Sequence, residues 1–155
     1  MTVTLLPAAS GDYEFARETY YATMRWVIER LFGWNQIEQD ASFARQFKLD
    51  EVRLIVADGV RAGWIQTQTG ETSLTLGQFY IIPALQRRGF GTQVLRTVIR
   101  EAHDQEKSVI VPVVKFNPAK RLYDRHGFRI AREDEYKYYM QLDHGRTLPG
   151  CQTPR

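Results

Sequence analysis

The chain has 155 residues, 43% of them hydrophobic and 12% aromatic, enough to fill one core and too few for two. No apolar run approaches the roughly 18 residues needed to cross a bilayer, the start from Met1 to Ser10 lacks a basic leader segment, and Cys151 alone builds neither a disulfide nor a cysteine metal site. The net charge of +3 is uneven: residues 86 to 132 hold eleven Lys/Arg against four Asp/Glu (+7), leaving ten against fourteen (−4) elsewhere, so the basic part is either a solvated face or the surroundings of an anion site.

In chain order, Val3 to Leu6 reads as a short strand. From Asp12 to about Leu31, Phe15, Thr19, Ala22 and Trp26 recur at three- and four-residue steps and predict an amphipathic helix ended by Gly33. Asn35 with Glu38 makes a capping box for a second helix reaching about Phe47. Val52 to Ile82 is rich in branched and aromatic residues and punctuated by Asp58-Gly59 and Gly70, which predicts three successive antiparallel strands.

A basic glycine turn follows, then a helix with Val94, Leu95, Val98, Ile99 and Ala102 as its apolar stripe, then a strand over Ser108 to Val114. Strand, helix and neighbouring strand make a crossover expected to be right-handed. Asn117 to Phe128 predicts a short helix with Asn117 as cap, Pro118 in its first turn and Gly127 at a left-handed exit. A last strand over residues 135–142 closes a mixed sheet. The expectation is one soluble cytoplasmic domain over residues 1–142 with a flexible tail over 143–155. His103, His126 and His144 are not at ligand spacing and are read as surface residues, with no metal site. Trp26, Trp34 and Trp64 are read as core or pocket wall.

The glycine turn leads from a strand into a helix, so unpaired helix N–H groups and the helix dipole favour a phosphate-sized anion there. Gly89 and Gly91 admit close backbone approach, and Arg87 and Arg88 add charge. A dinucleotide fingerprint requires a third glycine where Val94 stands, and a nucleoside-triphosphate loop requires Lys and Ser or Thr where Thr92 and Gln93 stand. Both readings fail.

Gln86-Arg87-Arg88-Gly89-Phe90-Gly91 resembles the acetyl-CoA signature Q/R-x-x-G-x-G/A of the GCN5-related N-acetyltransferase (GNAT) superfamily, with the strand Phe79-Tyr80-Ile81-Ile82 before it. "NPAKRLYDRHGF" is similar to the family's later Asn, Ala, Leu-Tyr, Gly-Phe segment, and residues 20–47 look like the first two helices of one bacterial subgroup, so the resemblance covers about Val3 to Leu142. It implies an α/β (mixed α+β) GNAT acyl-CoA N-acyltransferase fold: a mostly antiparallel central sheet with a splayed strand pair and helices on both faces.

The resemblance further implies acetyl-CoA as cosubstrate. Its pyrophosphate would lie on the main chain of Arg88, Gly89, Phe90, Gly91 and Thr92, with Gln86 and Arg87 beside it, and its pantetheine along Phe79, Tyr80, Ile81 and Ile82. Ile81 is the candidate oxyanion donor. Asn117 is either a helix cap or a cofactor ligand, or both, and Lys115, Lys120, Arg121 and Arg125 have the anionic CoA as a plausible partner. Tyr123 is either a packed helical tyrosine or the acid that protonates the departing thiolate.

Family members that carry a glutamate on the strand before the turn, or on the strand before the asparagine, have no counterpart in "LTLGQFYII" or "VIVPVV". Gln78 or Tyr80 could orient water instead, or Glu38 or Asp40 on the second helix could reach the pocket. The leading expectation is an N-acetyltransferase acting on a primary amine of a small molecule or peptide by direct attack in a ternary complex. A non-catalytic acyl-CoA-binding module is the alternative. No nucleic-acid signature accompanies the basic segment, no membrane partner is expected, and exposed aromatics in the last strands permit a homodimer.

Overall fold

The computed structural model describes residues 2–145, so the expected tail from residue 146 onward, with Cys151, lies outside the described residues. The elements are β1 (Val3–Pro7), α1 (Tyr13–Phe32), α2 (Gln36–Gln46), β2 (Val52–Ala57), β3 (Val60–Thr69), β4 (Ser73–Ile81), α3 (Phe90–Asp104), β5 (Ser108–Val114), α4 (Lys120–Arg125), β6 (Arg129–Glu133) and β7 (Lys137–Leu142). The seven strands run in the order β1-β2-β3-β4-β5-β7-β6, with a parallel pairing between β4 and β5. Two compact units divide the described chain: residues up to Thr67 with Gln78–Val94, and Gln68–Gly77 with the residues from Leu95 on.

In the first unit β1 pairs antiparallel with β2 from Val3–Ala57 to Pro7–Arg53, and β2 with β3 from Val52–Gln66 to Ala57–Val60. Asp58 and Gly59, both at positive φ (50° and 77°), form the two-residue turn, the conformation that Asp-Gly tolerates and branched residues do not. Trp64 of β3 is 1% exposed and its indole donates to the Ala16 carbonyl at 3.0 Å, which satisfies the one polar atom that this ring buries. Around it Phe43 of α2 and Val52 and Leu54 of β2 form the core, with Tyr13, Tyr20, Phe47 and Tyr80 packed against it. Asn35 caps α2 through its side chain, which accepts from the Glu38 amide at 3.0 Å, and Gly33 ends α1 with φ 76°.

The buried stripe of α1 differs from the expected one. Ala16, Thr19, Met24, Val27 and Ile28 are buried, whereas Ala22 and Trp26 face outward, Trp26 being 47% exposed. Apolar residues occur all round this helix, so its periodicity leaves the core-facing side undefined until α2 and β3 pack against it.

In the second unit the β4–β5 ladder runs from Ser73–Ser108 to Thr75–Ile110. β5 pairs antiparallel with β7, from Val109–Leu142 to Val114–Lys137, and buries Val109, Val111 and Val113 at alternate positions. The expected stripe of α3 is buried throughout. After α4 the Phe128 amide bonds to the Tyr123 carbonyl at 3.1 Å and the Gly127 amide to Asp124 at 3.2 Å, with Gly127 at φ 85°, a Schellman exit. β6 is absent from the sequence-based expectation. It is an edge strand with all five residues exposed, Arg-Ile-Ala-Arg-Glu, so it carries no alternation to read.

Candidate active site

The glycine turn begins where β4 ends. The Ile82 amide donates to the Ala62 carbonyl at 2.8 Å, and the Ile82 carbonyl accepts from the Leu85 amide at 2.8 Å. Both main-chain groups of Ile82 therefore already have a partner within the protein, the carbonyl keeping a second lone pair. Pro83–Leu85 makes one 3-10 turn, and Arg87 (φ 64°) and Gly89 (φ 83°) then take left-handed conformations that swing the chain into α3. Gln86, Arg87, Arg88 and Gly89 are all exposed along this turn. The first backbone bond of α3 is Gln93 N–H to the Gly89 carbonyl at 3.2 Å, so the amides of Phe90, Gly91 and Thr92 have no intrahelical acceptor. Its first turn holds no acidic side chain. Gln93 Oε1 accepts from the Val3 amide at 3.0 Å, tying the start of α3 to β1.

The Gln86 side chain has a partner within the protein. Its Nε2 donates to the Ile81 carbonyl at 2.9 Å, stapling the turn to the strand end. Opposite, a Cβ on Gly63 of β3 would lie 2.0 Å from the Tyr80 carbonyl oxygen and 2.9 Å from Ile81 Cα. The β4 main chain at Tyr80–Ile81 thus presses into a space that only glycine leaves. Gly63 is absent from the sequence-based site, although a lone glycine inside a strand signals close backbone approach. Phe79, Tyr80, Ile81 and Ile82 are all half-buried, and the Tyr80 hydroxyl donates to Gln78 Oε1.

In the second unit Asn117 Oδ1 accepts from the Ala119 amide at 3.0 Å in the turn ahead of α4, whose own N-cap is Ala119 without a side-chain bond, so the helix starts later than expected and Asn117 does not cap it directly. Tyr123 is 4% exposed and its ring stands edge-on to Phe128 at 5.7 Å; burial pushes its phenol well above the ordinary tyrosine range. It therefore carries its proton throughout the neutral range. Lys120 Nζ pairs with Asp124 at 2.9 Å and Lys115 Nζ with Glu133 at 2.7 Å, while Arg121 and Arg125 are exposed. Both lysines are half-buried and their acid partners lie at the surface, and ion pairs open to solvent in this way are weak.

A family model described as an acetyltransferase (GNAT) domain matches residues 50–130, just over half of the chain, spanning β2 to the start of β6. The chain belongs to the GNAT acetyltransferase family. No curated protein matches it. Among solved structures, the PaiA N-acetyltransferase of Thermoplasma acidophilum in complex with coenzyme A is 13% identical, with a TM-score of 0.73 over 93% of this chain and 100% of that one. An acetyltransferase of Thermus thermophilus is 18% identical, with a TM-score of 0.74 over 92% and 97%. The ribosomal-protein-S18-alanine N-acetyltransferase of Escherichia coli is 19% identical, with a TM-score of 0.68 over 98% and 100%. At such identities the likeness is one of fold, and the mixed, mostly antiparallel sheet is the GNAT architecture.

Of the acids considered for this GNAT chain, Glu38 is exposed at the start of α2, and Asp40 is engaged by the Tyr21 hydroxyl, by Gln36 Nε2 at 2.9 Å and by Arg17 at 3.6 Å. The Tyr21 hydrogen bond, chiefly, holds the Asp40 carboxyl below its usual range, which makes it a weaker base than an ordinary aspartate. Two of the three histidines also depart from expectation, whereas His144 is exposed. His126 is buried, 6% exposed, with Nδ1 2.8 Å from the Leu122 carbonyl, and His103 is half-buried. The end of α4, with His126 as its C-cap, carries that side chain inward, which spacing from other histidines cannot show. Among the described residues no group of three or more His, Cys, Asp or Glu side chains is placed to hold a metal, and no helix is long and apolar enough to cross a membrane.

Proposed function

We propose that this GNAT protein transfers an acetyl group from acetyl-CoA to a primary amine of a small molecule or peptide, by direct attack in a ternary complex, within a single domain over residues 1–142. The observation that carries the reading is the exposed turn at the start of α3. It combines three amides without intrahelical acceptors, no first-turn acid, and a Gly89 at which an added Cβ would meet no atom within 4 Å beyond its own chain neighbours. Such a corner fits a pyrophosphate, held by the main chain of Arg88 to Thr92 with the Arg87 and Arg88 side chains beside it.

Acetyl-CoA supplies an activated thioester. The main chain of Phe79, Tyr80 and Ile81 is assigned to the pantetheine, and the Ile81 amide to the oxyanion. Gln86 keeps the turn on the strand, Ile82 closes the strand end, and Asn117 and Lys120 are assigned to the cofactor's outer contacts. Tyr123 is assigned the proton donation to the departing sulfur. With its pKa raised, its O–H stabilises the sulfur first as a hydrogen-bond donor. The amine proton leaves by water, since no acid stands on β4 or β5.

Purified protein mixed with acetyl-CoA and a panel of amines, followed by thiol release and product mass, should turn over at least one of them. Tyr123→Phe should slow that turnover by about 10² to 10⁴ while acetyl-CoA binding is kept. The missing strand acid favours a second reading, a non-catalytic acyl-CoA-binding module. In that case acetyl-CoA raises the melting temperature, the amine panel stays silent, and Tyr123→Phe changes nothing else.

A further inference from the structure

The transferase reading leaves the amine undefined, but one feature of the first unit narrows it. Between α1, α2 and the strands β3 and β4 lies a small crevice walled by Tyr20, Phe43, Phe47 and Trp64, with Gln66 and Gln78 as its strand-borne polar residues. Its volume of about 10 Å³ is room for one water-sized group. Gln66 is 8% exposed, and its Nε2 donates to the Gln46 carbonyl and to Glu51 Oε1, both at 2.9 Å. Only the NH₂ end of the amide can face two acceptors, so the orientation of the side chain is settled by its partners. That leaves Gln66 Oε1 buried with no hydrogen-bond partner. A buried acceptor of this kind calls for a donor. Gln78 Oε1 already accepts from the Tyr80 hydroxyl and keeps a second lone pair.

We propose that the crevice receives the amino head of the acceptor, with Gln66 Oε1 accepting one of its N–H bonds, and that it selects a primary amine borne on an unbranched carbon, –CH₂–NH₂. The substrate part of this inference rests on the transferase reading; the subsite itself does not. A single-group volume admits the nitrogen of a –CH₂–NH₂ end, whereas a carbon branched next to nitrogen brings a second substituent against the aromatic walls. The walls strip water from the head and favour the neutral amine over the ammonium, the form that can attack a thioester. One N–H to a neutral carbonyl leaves the nitrogen lone pair unused. Free α-amino groups of amino acids and peptide N-termini are branched at that carbon, glycine excepted, and are excluded by the same walls, which within the proposed acceptor class points to side-chain or small-molecule amines.

The test is a titration of the full chain, with and without acetyl-CoA, by 2-phenylethylamine and by its α-methyl counterpart. The indole N–H resonance of Trp64, a wall of the crevice, reports binding without requiring turnover. The unbranched amine should shift that resonance saturably and be acetylated about tenfold or more faster, in kcat/KM, than the α-methyl compound. Gln66→Leu should raise the amine KM about tenfold with the acetyl-CoA Kd unchanged. Ser42→Phe, on the crevice lining but outside the Gln66 contacts with Gln46 and Glu51, should do the same, so a folding defect in the first variant does not decide the matter. Equal turnover of branched and unbranched amines, or turnover with an unmoved Trp64 resonance, overturns the subsite and leaves the transferase standing. A saturable Trp64 shift in a protein that binds no acetyl-CoA supports the subsite and overturns the transferase.

Discussion

Two glycines in the first unit stand in opposite surroundings. Gly63 faces the protein's own backbone, with the Tyr80 carbonyl where its Cβ would be, whereas Gly89 faces open space and is held by its left-handed φ of 83°. The first is a glycine because the sheet has no room for more, the second because the chain must turn. The difference separates a position on which folding depends from one at which a ligand can approach, and residue type alone does not tell them apart.

The largest expected effect tests the sealed side. Gly63→Ala should cost about 3 kcal/mol or more, a fall in melting temperature on the order of 10 °C, because the displaced atoms are backbone. An unchanged urea midpoint would mean that β4 can move away, and the contrast would disappear. Next, Gly91→Val on the open side should weaken acetyl-CoA binding about tenfold or more, read by calorimetry, with the free protein's melting temperature little altered.

Gly89→Ala sharpens the contrast further. Nothing would clash, so only the left-handed conformation is penalised, about 1 kcal/mol by urea denaturation; a loss as large as that of Gly63→Ala would erase the distinction. Gln86→Ala removes one hydrogen bond to the Ile81 carbonyl and should cost no more than about 1 kcal/mol while loosening acetyl-CoA binding by a few fold. The smallest effect lies away from both glycines. Because Asp40 is held below its ordinary range, its contribution is present above the unfolded aspartate pKa of about 3.9 and is lost as pH falls through the lower folded value. Asp40→Asn should therefore be less stable than the parent at neutral pH, and the gap between their melting temperatures should close in acid.

Much of the fold was legible because local patterns and local structure agree. The Asp58-Gly59 turn, the Asn35 cap, the stripe from Val94 to Ala102 and the Gly127 exit each rest on a conformational preference confined to a few residues, and each lies where the spacing puts it. The α1 face and β6 were not legible: apolar residues surround the one, and exposed edge residues make up the other. Within the site the turn could be read, but the assignment of Gln86 to the Ile81 carbonyl could not, because a side chain's choice between ligand and backbone depends on where the strand end lies.

The motifs by themselves resemble those of the GNAT family and place a basic turn at the opening of a helix, since glycine spacing and helix caps act over a few residues. The tertiary structure decided which amides of that region are already spoken for, that His126 is buried, that Gly63 is a contact and not a flexible point, and that Gln66 keeps a buried oxygen without a partner. All four depend on which distant segments come to lie against a residue, and no local preference encodes that.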